Sequence, residues 1–218
     1  MSYDLVLFDF DGTLADSAAW FRRVINGVAA RYHFRPVAEH EFEALRGQDN
    51  RAIIRHLGVP SWKMPLIANH MRRLMSRDLD TIALFPGVPS LLRALVEEGA
   101  TLAVVSSNTE ENVRAVLGPD AAELIRYYAC GASLFGKAAK FRQVLKASRV
   151  PADRALAVGD EARDIEAARA AGVAAGAVAW GYATPEFLRS REPTIMFDSF
   201  EAIVAAVAGG PAASRAAA

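Results

Sequence analysis

Apolar and polar positions alternate in blocks along this chain. Leu5 to Phe8 is a short apolar run halted by Asp9-Phe10-Asp11-Gly12, the pattern of a buried strand that ends in a polar loop. Similar runs recur far downstream: Leu102 to Val105 before Ser106-Ser107-Asn108, Ala155 to Val158 before Gly159-Asp160, and Val173 to Trp180 before Gly181, with a further candidate at Tyr127 to Cys130. Between them lie helical patterns. Pro89 opens one with Leu91, Leu92, Leu95 and Val96, closed by Gly99, and Ala162 to Ala171 forms another, closed by Gly172. Alternating strands and helices predict an α/β fold, a parallel sheet with helices on both faces.

The interval between the first two strands is too long for one crossover helix. Its apolar positions have helical spacing: Phe21, Ile25, Val28 and Tyr32; Ile53, Ile54 and Leu57; Leu66, Ile67, Met71, Leu74 and Met75. They predict an inserted, all-helical subdomain over residues 16–82, with a core built from 1–15 and 83–210. Phe85-Pro86-Gly87 marks the return to the core, and residues 211–218 read as a frayed tail without function.

Composition narrows the function. In 218 residues, 25 acidic and 25 basic side chains cancel, which argues against a dedicated nucleic-acid binder. Cys130 is the sole cysteine, so no intrachain disulfide forms, and nothing marks a base that would make it a nucleophile. No apolar stretch approaches the roughly 20 residues that span a bilayer. The expectation is a soluble, cytoplasmic monomer or homodimer that binds a small molecule, with neither nucleic acid nor membrane as partner.

Ligands of open parallel sheets bind beyond the carboxyl ends of the strands. Four such ends carry polar groups here: Asp9 with Asp11, Ser106 with Ser107 and Asn108, Lys137, and Asp160 with Asp164. Asp9 and Asp11, two apart on an extended strand, share a face, and two carboxylates so close need a cation or a shared proton. Gly12 permits a tight turn, and the Thr13 hydroxyl is placed to fix a neighbouring group. Asp160 and Asp164 stand one helical turn apart with Glu161 between them, a pattern suited to a hard cation such as magnesium. Capping of the following helix is the competing explanation for these acids.

Asp9-Phe10-Asp11-Gly12-Thr13-Leu14, then Ser106, Lys137 and Gly159-Asp160-Glu161 with Asp164, resemble the four ordered motifs of the haloacid dehalogenase-like hydrolases. Within them, Leu14-Ala15-Asp16-Ser17 and Trp180-Gly181-Tyr182 resemble the phosphoglycolate phosphatase-like branch. The resemblance implies a Rossmann-like core with a C1-type cap. It also implies Mg2+ and a small phosphorylated metabolite as substrate. Asp9 would be the nucleophile and Asp11 the general acid/base. Ser106 and Lys137 would contact phosphate, with Gly12, Thr13, Ser107 and Asn108 around it. Asp9, the Asp11 carbonyl and Asp160 would hold the metal, supported by Asp164. Ser107 competes with Ser106 for the second-motif position, and Lys140 with Lys137 for the third.

Asp11 favours phosphate esters, because the dehalogenases of this family lack an acid there. In the inserted segment, Arg46-Gly47 resembles a specificity loop, and Arg46 is a candidate partner for a substrate carboxylate such as that of 2-phosphoglycolate. The rivals are a β-phosphoglucomutase-like sugar phosphate mutase and a non-catalytic binding protein. Gly131 to Lys137 imitates a nucleotide-binding loop, but Ala138 stands where a hydroxyl residue is required.

Overall fold

A computed structural model describes residues 2–132 and 136–209. The sequence-predicted tail at 211–218 and residues 133–135 of the loop before Lys137 lie outside the described residues.

The chain begins with β1 (Leu5–Phe8), β2 (Ala15–Asp16) and α1 (Ala18–Tyr32), and continues through α2 (Phe42–Arg46), α3 (Asn50–His56) and α4 (Met64–Met75). It returns through β3 (Ala83–Leu84) to α5 (Val88–Glu97), β4 (Thr101–Val105), α6 (Glu110–Glu123) and β5 (Tyr127–Ala129). Then follow α7 (Gly136–Ser148), β6 (Ala155–Gly159), α8 (Ala162–Ala171), β7 (Ala174–Val178), α9 (Pro185–Arg189), β8 (Ile195–Phe197) and α10 (Phe200–Val207).

Six strands form one parallel sheet in the order β5-β4-β1-β6-β7-β8, a Rossmann-like arrangement. Successive strand side chains point to opposite faces, and the packing follows that rule. Val6, Phe8, Leu102, Val104, Leu156 and Val158 join α5, α6 and α10 on one face. Leu5, Leu7, Ala103, Val105, Ala155 and Ala157 join α7, α8 and α9 on the other. Both faces are covered, so the strands read as continuous apolar runs. The strand pattern at Tyr127 to Cys130 is β5, while the run from Val173 to Trp180 narrows to β7.

Two features escape the hydrophobic pattern. β8 is three residues long and follows Pro193, too short for a periodic signal. β2 and β3 pair antiparallel, Ala15 with Leu84 and Asp16 with Ala83, where the helical insertion leaves and rejoins the core. Within the insertion, Ile25, Val37, Phe42, Leu45 and Leu57 form a separate buried cluster.

Candidate active site

The strand ends are in step. Phe8 pairs with Val104 on one side and with Val158 on the other, so the residues after β1, β4 and β6 emerge side by side. Asp9, buried, continues the ladder by donating its amide to Val158 O at 2.8 Å. Its Oδ1 accepts from Phe10 N at 2.8 Å. Oδ2 lies 2.8 Å from Lys137 Nζ as an ion pair, yet no donor among the described residues is aligned to hydrogen-bond it. Lys137, in the first turn of α7, also donates to Asp164 Oδ1 at 2.5 Å.

Asp160 is fully buried and held from two directions: Thr13 Oγ1 donates to its Oδ1 at 2.7 Å, and Tyr182 N to its Oδ2 at 2.8 Å. The backbone wraps it so tightly that only glycine fits. A Cβ on Gly12, whose φ is +78°, would stand 2.2 Å from Asp160 Oδ2, and one on Gly181 would stand 2.1 Å from Asp160 Cβ. Asp164 Oδ2 accepts from Glu161 N at 3.0 Å, so this acid caps α8 and faces Lys137 at once.

Asp11 turns away from the other carboxylates. Its Oδ1 accepts from Ser17 Oγ at 3.1 Å and its Oδ2 from Asn108 Nδ2 at 3.3 Å, while Ser17 Oγ also meets Tyr182 OH at 2.8 Å. Asp11 is surrounded by protein and keeps an open side toward the space beneath the helical insertion.

Electrostatics follow from this crowding. Burial, and then the charge of Asp9, push the Asp11 carboxyl up to about 6. Burial also raises Asp164 to about 6 against the pull of Lys137. Asp160 goes well above its ordinary value through burial and the charges of Glu161, Asp9 and Asp164. Burial works against the Lys137 ammonium, but Asp164 and Asp9 outweigh it and raise its pKa.

Asp9, Asp160 and Asp164 can each bring one oxygen within 4.8 Å of the others. Three buried carboxylates against one ammonium leave excess negative charge, all donors are hard oxygens, and Asp9 Oδ2 has no hydrogen bond to lose. That donor set fits a divalent cation. Glu161, read in the sequence as a third acid of this group, instead pairs with Arg163 and accepts from Asn50 Nδ2 at 3.2 Å.

The open alternatives separate by position. Ser106 is buried with its Oγ accepting from Asn108 N at 3.0 Å, whereas Ser107 is exposed. Lys140 donates to Ser106 O and Gly131 O, 2.5 Å each, and fastens the loop after β4 from behind. Lys137 is thus the lysine beside Asp9. Burial pushes the Cys130 thiol up to about 11, which suits an inert side chain.

From the insertion, Gly47 follows α2 and Asp49 caps α3, accepting from Ala52 N at 2.7 Å. Arg46 reaches the core: Nε donates to Tyr182 O at 3.0 Å, Nη2 to Gly181 O at 3.3 Å, and Nη1 pairs with Glu43 at 2.9 Å. Ser17 and Tyr182 stand in the sequence only within the resemblance motifs; their contact with each other spans 165 positions, a pairing no local pattern could signal.

A buried aspartate with an unbonded oxygen, a second acid two residues on, a lysine ion-paired to the first and a carboxylate group whose donors fit a divalent cation, at the carboxyl ends of a parallel sheet, are the arrangement of a phosphoryl-transfer class of α/β enzyme. The chain belongs to the haloacid dehalogenase-like hydrolase family, whose model matches residues 6–178. It is 32% identical over 178 residues to the phosphoglycolate phosphatase of Synechococcus elongatus, covering 81% of this chain and 84% of that protein. The phosphoglycolate phosphatase of Agrobacterium fabrum is 31% identical over 216 residues, covering 93% of this chain and 91% of its own length. A haloacid dehalogenase-like hydrolase from Streptococcus pneumoniae has the same fold, with a TM-score of 0.77 over 94% of this chain and 98% of its own at 16% identity. No helix among the described residues is long and apolar enough to cross a membrane.

Proposed function

We propose that this chain is a magnesium-dependent, cytoplasmic phosphatase that hydrolyses a small phosphomonoester through an aspartyl-phosphate on Asp9. The observation that carries the reading is Asp9 Oδ2: buried, without a hydrogen bond, 2.8 Å from the Lys137 ammonium and two residues from a second acid. Asp9, Asp160 and the Asp11 carbonyl would hold the metal, with Asp164 in support. Bound magnesium offsets the charge of the phosphoryl oxygens.

In the first step one carboxylate oxygen of Asp9 forms a bond to phosphorus while the bond to the leaving oxygen breaks. The electron pair stays on that oxygen, which takes a proton from Asp11. In the second step Asp11 removes a proton from water, the water oxygen attacks phosphorus, and the acyl phosphate bond breaks to restore Asp9. Splitting one displacement into two lowers each barrier. Ser17 and Asn108 hold the Asp11 carboxyl, Lys137 faces the phosphoryl group as a compact positive charge, and Ser106 offers it a hydroxyl. A cap of residues 16–82 would cover the site and exclude water. Likeness to the relatives makes 2-phosphoglycolate the first ester to assay.

The test is phosphate release from a panel of phosphomonoesters, with and without magnesium, for the wild type and Asp9→Asn. Release that needs both magnesium and Asp9 supports the reading. Release that survives in Asp9→Asn, or none from folded protein with magnesium, sinks it.

A further inference from the structure

A cavity of about 730 Å³ opens between the helical insertion and the strand ends. Asp11 and Asn108 line its floor, and its walls are mostly apolar, with Phe21, Ile25, Phe42, Ile53, Ile67 and Met71 among them. That volume lies in the range that holds drug-sized ligands, far beyond the few atoms of a glycolate.

Among the described residues four arginines line the cavity, and three are already paired with acids. Arg22 pairs with Glu39 and Glu43, and Arg163 with Glu161. Every guanidinium nitrogen of Arg46 is committed: Nε and Nη2 to the carbonyls of Tyr182 and Gly181, Nη1 to Glu43. The fourth, Arg72, donates to Ser107 O at 3.4 Å and so stands at the polar end after β4, where the phosphate is expected. Asp16 and Glu161 add negative charge to the lining. A carboxylate in the leaving group would lose water and find apolar wall or spent cations. An apolar group would gain contact throughout.

We infer that the phosphomonoester taken by this site carries an apolar leaving group, an extended alkyl or aromatic alcohol that fills the cavity above Asp11. The inference rests on the phosphatase reading above and names its substrate class.

The test uses ethyl, butyl and hexyl phosphate, whose leaving alcohols have nearly equal reactivity, beside 2-phosphoglycolate, all with the magnesium-loaded protein. Each buried methylene raises kcat/KM by roughly fourfold, so hexyl phosphate, four methylenes longer, exceeds ethyl phosphate by about 250-fold. It also exceeds 2-phosphoglycolate. Met71→Trp fills the cavity and lowers the hexyl-to-ethyl ratio at least about tenfold; Ile53→Phe serves the same purpose if that variant does not fold. A flat alkyl series, or a preference for 2-phosphoglycolate, overturns the inference. If no ester releases phosphate, the phosphatase reading fails, and calorimetric binding of the same esters to Asp9→Asn decides the cavity separately. Affinity that climbs with chain length upholds an apolar site, and affinity independent of length overturns it.

Discussion

The floor of strand ends beneath the cavity and the roof above it are built on opposite principles. In that floor Asp9, Asp160 and Asp164 are buried, with Lys137 half-buried among them, held by contacts at 2.5–2.8 Å and by glycine backbone that leaves no spare room. The roof is made of apolar side chains from short helices around a void, and its Arg23–Asp78 ion pair lies outside that void. Electrostatic catalysis needs groups that do not relax when charge moves, whereas selection of a leaving group needs only a shape that excludes water. The difference teaches where substitutions will be felt: on the floor by a tenth of a nanometre, on the roof by a whole side chain.

The contrast breaks most sharply at Gly181. Gly181→Ala drives a methyl into Asp160, and kcat/KM should fall by about 10³-fold or more, since a displacement of about 1 Å in such a site already costs on the order of 10²-fold. Steady-state kinetics at saturating magnesium checks it, and near-normal activity would mean the floor is softer than described. Lys137→Met comes next. Removing one partner of a buried ion group leaves Asp9 and Asp164 facing each other, at a cost of about 3–5 kcal/mol in metal-free protein. Added magnesium should restore much of that loss in a thermal melt, because the cation answers the same charges.

Packing sharpens the comparison further. Phe8→Ala, in the fully buried sheet, should cost about 3–5 kcal/mol by urea unfolding. Phe42→Ala, beside the cavity, should cost less than half as much, because its neighbours are free to close in.

Tyr182→Phe probes a finer link. Losing the hydroxyl that holds Ser17 misorients Asp11, so turnover of alkyl phosphates should drop about tenfold while 4-nitrophenyl phosphate, whose leaving group needs little protonation, changes much less. Equal loss with both esters would assign Tyr182 to structure alone.

The smallest effect is expected on the roof's surface. Bonds from the Ala38 amide and Arg35 hold Glu41 down to about 2 from its ordinary 4.5. A carboxyl with a depressed folded pKa stabilises fully above its unfolded pKa and ceases to do so as pH falls through the folded one. The insertion should therefore lose stability between pH 4.5 and 2, and Glu41→Gln should flatten that dependence in melts across the range.

The sequence exposes the floor far better than the roof, for a physical reason. Apolar strands buried on both faces end abruptly at Asp9, Ser106 and Asp160, so each polar break marks a strand end and hence the site. The helical stripes from Phe21 to Met75 tell which faces turn inward but not how closely those faces meet, and the cavity is a matter of that fit. Nor does anything local to Arg46 reveal its contacts with carbonyls 135 and 136 positions away. β8 lay hidden for lack of length, and Ser17 and Tyr182 for lack of any neighbour in sequence that would disclose their contact.

The pairing of β2 with β3 has a consequence for how such a molecule can be assembled. Asp16 and Ala83 face each other across one antiparallel rung, so everything between them begins and ends at nearly the same point in space. To the sheet, a segment of that length is equivalent to a hairpin turn, and the entropy of closing it grows only as the logarithm of its length. For the pairing of the sheet, the helices between those two residues are therefore interchangeable. A roof of different size grafted between Ser17 and Ala83 would leave the register of the parallel sheet unaltered and keep the Ser17 hydroxyl on Asp11.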